Sequence, residues 1–348
     1  MALLVLAAVW GRAVPFALMP LMSIALIGAV LVAVHHAEVV AHRVGEPFGS
    51  LILALAVTVI EVGLILSITV SGGSETASLA RDTVFAAVMI TCNGVVGLCL
   101  LIGAVRHHVV SFQAGGSSGA LASVLALATL CLVLPTFTIS SPGPTFSGAQ
   151  LAFAAVVSIT LYGVYVFVQT VRHRDYFLPV RVNGASEHAE AHLPPPATRT
   201  ALLSLALLIA SLVAVVGLAK TVSPAIETGV SAIRAPLSVV GVAIALLVLL
   251  PETLAAARAA TRNRLQTSFN LAFGSALASI GLTIPTIAVA SIWLDGPLLL
   301  GLSATEMVLL ALTALIGTLT VSLGRAILLQ GALHLLIFAS FLFIAIMP

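Results

Sequence analysis

The sequence predicts an all-α polytopic membrane protein of about 11 transmembrane helices, one extra helix followed by two inverted five-helix repeats. Hydrophobic residues make up 60% of the 348 residues and charged residues only 7%, whereas about a quarter of a soluble domain is charged. The apolar residues also fall into runs of about 20, the length at which a helix crosses a bilayer. A soluble core could not hide this much apolar surface.

The apolar runs form two groups around one polar stretch. We divide the chain into a short N-terminal apolar segment (1–13), a first five-helix repeat (14–171), a cytoplasmic polar linker (172–200) and a second five-helix repeat (201–348). The predicted spans are 14–34, 48–70, 84–105, 119–137 and 150–171, then 201–220, 230–250, 268–293, 305–323 and 326–347. The initial run, 2–10, is the short extra segment.

Lysine and arginine indicate which membrane face each loop occupies. Ten of the 14 lie on the linker side of the predicted spans and four on the other side. Positive residues concentrate in the cytoplasm, which places the linker and the N-terminus inside, the C-terminus outside, and the protein in the inner (cytoplasmic) membrane. Five spans is an odd number, so the second set enters from the opposite face, as in the inverted repeats of secondary transporters.

Two acidic residues lie within the predicted spans. Glu61 is near the middle of its run, and Glu252 is near the end of the second span of the second set. A carboxylate at bilayer depth costs roughly 2.5–3.5 kcal/mol on insertion scales. Burial raises the pKa of a carboxyl group and a bound cation lowers it, so a proton and a metal ion compete for the same oxygens. We therefore expect both acids to bind cation or proton, the alternative being protonated hydrogen-bond donors between helices.

Prolines and small polar residues surround these acids. Pro47, Pro251 and Pro285 suggest broken helices with free carbonyls that can bind cations, the alternative being ordinary loop or kink prolines. Small residues allow close helix approach, and hydroxyl or amide groups offer oxygen ligands or simply join helices. The supporting site candidates are Thr58, Asn93, Ser275 and Ser279.

A histidine-rich segment follows the first full span. We interpret it as a cytoplasmic cation entrance or a pH sensor, with a solvated interfacial face or a catalytic metal site as alternatives. Its candidate residues are His35, His36, Glu38, His42 and Glu46. No nucleotide-binding motif is present, so we expect no cofactor. The expected partners are membrane lipid, inorganic cations and protons, and not nucleic acid.

Three long segments carry a family resemblance. VHHAEVVAHRVGEPFGSLILALAVTVIEV resembles the first signature region of ChaA-type cation/proton antiporters, and RDTVFAAVMITCNGVVGLCLLIG resembles the helix that follows it. LLPETLAAARAATRNRLQTSFNLAFGSALASIGLTIP resembles the second signature region, and the likeness extends over nearly the whole chain. These antiporters form part of the CAX branch of the cation/calcium exchanger superfamily.

The resemblance implies one extra helix plus two inverted five-helix repeats, and exchange of cytoplasmic Ca²⁺, Na⁺ or K⁺ for external protons. By motif position, Glu61 and Glu252 match the paired acids, and Asn93 with Ser275 to Ser279 match the neighbouring helices. The better-known calcium exchangers carry a GNAxE-like motif at each acid. In this sequence the motif is VTVIE at Glu61 and LLPE at Glu252. Fewer hard oxygen ligands predict weaker Ca²⁺ selectivity, which leaves monovalent transport open.

Two other function classes remain as alternatives. A passive cation channel does not need two titrating acids, and nothing in the sequence resembles a selectivity-filter loop. An intramembrane metal-dependent enzyme needs a nucleophile with its base or a HExxH helix. Neither occurs in the sequence, and the histidine-rich segment is the only support for that alternative.

Overall fold

The computed structural model describes residues 2–9, 18–45, 48–72, 77–180, 196–232, 236, 238–293 and 297–347. Within those ranges, ten helical segments are long and apolar enough to cross a membrane, five before the linker and five after it. The prediction of an all-α polytopic membrane protein is confirmed. The initial segment forms α1, Ala2–Val9, whose eight residues rise only about 12 Å, too little to cross a bilayer.

The first half continues with α2 Met19–Val44, α3 Phe48–Gly72, α4 Leu79–Met89, α5 Val96–His107, β1 Val110–Ser111, α6 Ala114–Ala128, α7 Leu134–Phe137 and α8 Gly148–Phe167. The second half consists of α9 Thr198–Ala232, α10 Ser238–Thr261, α11 Leu265–Ala290, α12 Ala304–Ser322, β2 Arg325–Ala326 and α13 Leu328–Ile346. π-Helical segments join α4 to α5 (Ile90–Val95), join α6 to α7 (Thr129–Val133) and extend α8 (Val168–Arg172), and a 3₁₀ turn follows at Arg174–Phe177.

The helices around the two acids are continuous, so the expectation of broken helices is wrong for the second half. α10 runs through Pro251, and α11 runs through Pro285. A membrane helix tolerates proline when side chains and neighbouring helices satisfy the backbone groups around it. Pro47 lies outside the described residues.

Contacts at the helix ends agree with the alternation of spans across the membrane. On the linker side, Arg43 Nη2 donates to Thr198 Oγ1 at 2.8 Å, and β1 pairs with β2 in an antiparallel ladder. On the opposite side, Arg81 Nη1 donates to the Gly301 carbonyl at 3.1 Å. Each contact joins the first half of the chain to the second at the membrane face on which the sequence places both partners.

The interior consists of two main hydrophobic clusters. The smaller one joins α1, α2, α3 and α9 with the start of α4, and the larger one joins α4, α5, α6 and α8 with α11, α12 and α13, while α10 contributes to both. The combined span of α4 and α5 is the most buried of the ten candidate spans. α3 and α11, which carry Glu61 and the candidate serines, therefore meet where the two clusters adjoin.

α5 and α13 cross at two glycines. A β-carbon at Gly97 would lie 2.9 Å from the Leu335 backbone nitrogen, and one at Gly331 would lie 2.7 Å from the Leu101 backbone nitrogen. Backbone atoms cannot move aside as a flexible side chain can, so only glycine fits at either position. Small residues of this kind allow membrane helices to pack backbone against backbone.

Candidate ion-binding site

Glu61 is buried between the two halves of the chain. It lies near the middle of α3 and is 3% exposed. The Ser279 hydroxyl on α11 donates to its carboxylate, with Oγ 2.7 Å from Oε1 and 2.9 Å from Oε2. Thr283, one turn further along α11, also lies beside this carboxylate, but its buried hydroxyl meets hydrogen-bond geometry with none of the described residues. The structure thus brings together two residues that the sequence placed in the site, Glu61 and Ser279.

The charge of Glu61 has no protein counter-ion in the described ranges. The ion pair found there joins Arg81 to Asp82, with Nη2 2.7 Å from Oδ1, and it involves neither Glu61 nor Glu252. A buried charge needs a compensating charge as well as hydrogen bonds. The Ser279 hydroxyl supplies a hydrogen bond but no charge. A proton or a bound cation would neutralise this acid.

Glu252 lies on α10 at the wall of a cavity. The residue keeps some exposed surface along the cavity, but its Oε2 is buried and has no hydrogen-bond partner among the residues the structure describes. The exposed Glu38 on α2 is close enough for the two carboxylates to repel each other. A cation bound at Glu252 would relieve that repulsion and also satisfy the unpaired oxygen.

The cavity has a volume of about 410 Å³ and extends from residues near the linker to Glu252. Gln169, Thr170 and Arg174 line it near the C-terminal end of α8, which leads into the linker. Val57 on α3 and Ala278 on α11 line it elsewhere. Val57 is one turn before Glu61, and Ala278 directly precedes Ser279, so the cavity approaches the buried Glu61–Ser279 pair.

One face of α11 connects the two acids. Ser275, Ser279 and Thr283 are four residues apart and therefore lie on the same face of the helix. Ser275 lines the cavity together with Glu252, while Ser279 bonds to Glu61. Carboxylate and hydroxyl oxygens are hard ligands, suited to Ca²⁺, Na⁺ or K⁺. This face provides oxygen groups at successive depths between the two carboxylates.

Two of the predicted supporting residues have other hydrogen-bond partners. The Thr58 hydroxyl is buried and donates to the Ala54 carbonyl of its own helix at 2.9 Å. Asn93 lies in the π-helical segment between α4 and α5, and its Nδ2 donates to Thr313 Oγ1 on α12 at 2.9 Å. Neither side chain is hydrogen-bonded to Glu61 or Glu252 in this structure. Their proposed role at the site remains a prediction.

Asn93 belongs to a buried polar cluster that the sequence did not reveal. His334 on α13 is 1% exposed, and its Nδ1 lies 3.2 Å from Asn93 Oδ1. Its Nε2 lies 3.1 Å from Thr320 Oγ1 on α12. Because Asn93 Nδ2 donates to Thr313, its Oδ1 accepts from His334, and Nε2 then accepts from Thr320. The sequence signal for this cluster is a lone histidine within the last apolar span.

The histidine-rich segment lies within the C-terminal part of α2. The predicted span 14–34 instead ends at Val44 in the structure. His35, Glu38 and His42 are exposed, and His36 is half-buried. No three His, Cys, Asp or Glu side chains in the described ranges are arranged to hold a metal ion. Glu46 and linker residues 181–195 lie outside those ranges.

Comparison with known proteins identifies relatives along the whole chain. The family described as "Sodium/calcium exchanger protein" matches residues 14–171 and 203–347. The chain is 49% identical over 333 residues to the y4hA protein of Sinorhizobium fredii, which is described as an ionic transporter; the match covers 94% of this chain and 88% of that protein. It is 34% identical to the sodium-potassium/proton antiporter ChaA of Escherichia coli, covering 97% and 92% of the two chains.

A solved structure shows the same fold. The crystal structure of the H⁺/Ca²⁺ exchanger CAX superposes with a TM-score of 0.71, covering 98% of this chain and 84% of that chain. The sequence identity is 18%, so this likeness concerns the arrangement of helices alone.

Proposed function

We infer that this chain, which belongs to the sodium/calcium exchanger protein family, is a secondary-active cation/proton antiporter of the cytoplasmic membrane. Members of this family are transporters and not enzymes, which sets aside the enzyme alternative. The observation that carries the proposal is the buried Glu61 carboxylate, bonded to Ser279 at 2.7 Å and lacking a cationic partner in the described ranges. Such a group is neutralised by a proton or by a bound cation, and exchange of the two is antiport.

The transported ion is proposed to be Na⁺ or K⁺, Ca²⁺, or more than one of these. The similarity to the sodium-potassium/proton antiporter ChaA supports monovalent ions. The site chemistry agrees, because neither acid has an adjacent amide in its motif and the oxygens near Glu61 are hydroxyls. Ca²⁺ prefers six to eight oxygen ligands with several carboxylates. The ion itself is cargo, and the exchange requires no bound cofactor.

In the proposed cycle, both acids bind a cation in one step and protons in the next. With the cavity open to the linker side, deprotonated Glu252 and Glu61 take a cation from the cytoplasm. The protein then rearranges so that the site faces outward. Protons replace the cation on the carboxylates, and the neutralised site returns to the inward-open form. Because proton and cation compete for the same oxygens, inward movement of one drives outward movement of the other.

The test uses everted membrane vesicles in which respiration establishes a pH gradient that a fluorescent dye reports. Ca²⁺, Na⁺ or K⁺ is added separately to vesicles containing wild-type protein, Glu61→Gln or Glu252→Gln. Glutamine keeps the size of each side chain and removes its charge. We expect at least one cation to collapse the gradient in the wild type, and neither variant to respond.

The control is Glu306→Gln, because Glu306 caps the N-terminus of α12 and accepts from the Ser303 backbone nitrogen at 2.7 Å. It should exchange normally. Exchange that persists in both acid variants would place the site elsewhere. Cation flux that does not saturate and moves no protons would favour the channel alternative.

A further inference from the structure

Two residues that line the same cavity each carry a buried, unpaired polar atom. Tyr165 on α8 is 5% exposed, and its Oη is buried without a hydrogen-bond partner among the described residues. The Oε2 of Glu252 is in the same condition, and both residues line the cavity of about 410 Å³. A buried tyrosine hydroxyl is normally hydrogen-bonded. Two cavity-lining residues with unpaired oxygens therefore indicate a ligand-binding site.

The packing of Tyr165 fixes where its hydroxyl lies. Its ring packs edge-on against Phe177, with centroids 6.0 Å apart and planes at 87°. Its Oη would be 4.0 Å from a β-carbon at Gly274 on α11. Gly274 and Ser275 both line the cavity. The phenol oxygen thus lies against α11 at the level of Ser275, where the missing glycine side chain leaves room beside it.

Tyr165 and Glu252 do not satisfy each other, because a hydrogen bond between them would leave neither atom unpaired. We take a single occupant of the cavity that both residues line as the partner of both oxygens. The groups available are one carboxylate, one phenol oxygen and the Ser275 hydroxyl, all hard oxygen ligands. Their combined charge is −1 when Glu252 is ionised, which matches one monovalent cation. Ca²⁺ would keep an unbalanced charge with this set.

We propose that Tyr165 is a further ligand of the transported cation, forming a binding station with Glu252 and Ser275 on the linker side of the Glu61–Ser279 pair. The phenol oxygen favours a partly dehydrated Na⁺ or K⁺ at this station. The inference rests on the proposed antiport function and extends it, because it assigns a ligand that neither acid motif contains.

The test compares Tyr165→Phe with wild type in the everted-vesicle assay, using Na⁺ and K⁺. Phenylalanine keeps the ring packed against Phe177 and removes only the oxygen. We expect the half-saturating concentration of the transported cation to rise by about three- to tenfold, with the maximal rate unchanged. The matched control is Tyr176→Phe, since Tyr176 is exposed outside the cavity and should behave as wild type.

Ser275→Ala serves as a second variant if Tyr165→Phe accumulates poorly, and it should shift the same concentration in the same direction. Half-saturation within twofold of wild type for both cations in both variants would overturn the proposal and leave water as the occupant. An equal shift in Tyr176→Phe would also overturn it. If the wild type exchanges no cation at all, the antiport function fails instead, and the two failures are therefore distinguishable.

Discussion

Replacing Ser279 by alanine tests the hydrogen bond on which the geometry of Glu61 depends. The hydroxyl lies 2.7 Å and 2.9 Å from the two carboxylate oxygens, inside a site where Glu61 is 3% exposed. A hydrogen bond to a charged group contributes about 1.5–3 kcal/mol. Water cannot readily replace it at this depth. The ionised carboxylate should be disfavoured by that amount in Ser279→Ala.

The loss has a direct effect on transport, because the cation binds the ionised carboxylate. At fixed pH, about 1.5–3 kcal/mol corresponds to a roughly 10- to 150-fold rise in half-saturating cation concentration. The Ser279 oxygen is also a candidate ligand, and losing it acts in the same direction. Dye fluorescence in everted vesicles, measured over a series of cation concentrations, gives this value directly.

Ser123→Ala is the matched control, since the Ser123 hydroxyl donates to the Gly119 carbonyl at 2.9 Å on the exposed side of α6. It should leave half-saturation unchanged. If Ser279→Ala stays within twofold of wild type while Glu61→Gln is inactive, the hydrogen bond is not part of the site and the reasoning fails.

Further predictions concern pH, the entrance, the buried histidine and the glycine crossing. Lowering the pH by one unit should raise half-saturation by up to about tenfold for each proton that competes with the cation; pH-independent half-saturation would contradict a shared site. Glu38→Gln should weaken cation capture by about two- to threefold at low salt and less at high salt, because screening acts on exposed charges, and an equal effect at both salt concentrations would exclude an electrostatic role. His334→Ala should destabilise the protein by about 1–3 kcal/mol by leaving Asn93 and Thr320 without their partner, which a lower melting temperature in detergent would reveal. Gly97→Ala should destabilise the protein by a similar ~1–3 kcal/mol through overpacking. The control Gly163→Ala, with open space at its β-carbon, should melt at or above the wild-type temperature. Equal melting temperatures for the two variants would refute the close crossing.

The membrane architecture could be predicted because the hydrophobicity of the spans dominates it. Runs such as Ala201 to Lys220 are apolar enough to require a bilayer wherever their neighbours lie. Helix ends were less predictable, because polar residues can extend a helix beyond the apolar run. α2 continues through His35 and His36 to Val44 for this reason.

The candidate site was predictable only in part. Glu61, Glu252 and Ser279 stand out because a buried charge or hydroxyl in an apolar run needs an explanation. The direct hydrogen bond between Glu61 and Ser279 was not predictable, since it joins residues 218 positions apart. Tyr165 and His334 went unnoticed because tyrosine and histidine also occur in membrane helices for packing, and only their partners, or lack of partners, distinguish them.

Proline was the signal that misled. Pro251 beside Glu252 suggested a broken helix, since proline removes a backbone donor. The structure keeps α10 helical through Pro251. Local sequence gives the loss of the donor but not the packing of neighbouring helices that allows the helix to continue.

The crossing of α5 and α13 at Gly97 and Gly331 limits how the molecule can change shape. These helices come from opposite halves of the sequence, yet their backbones touch with no side chain between them. Two surfaces in such contact cannot slide or separate without opening an empty gap in the interior. This crossing ties the two sequence halves together, and we expect the last helix to move with the third span of the first half during any rearrangement.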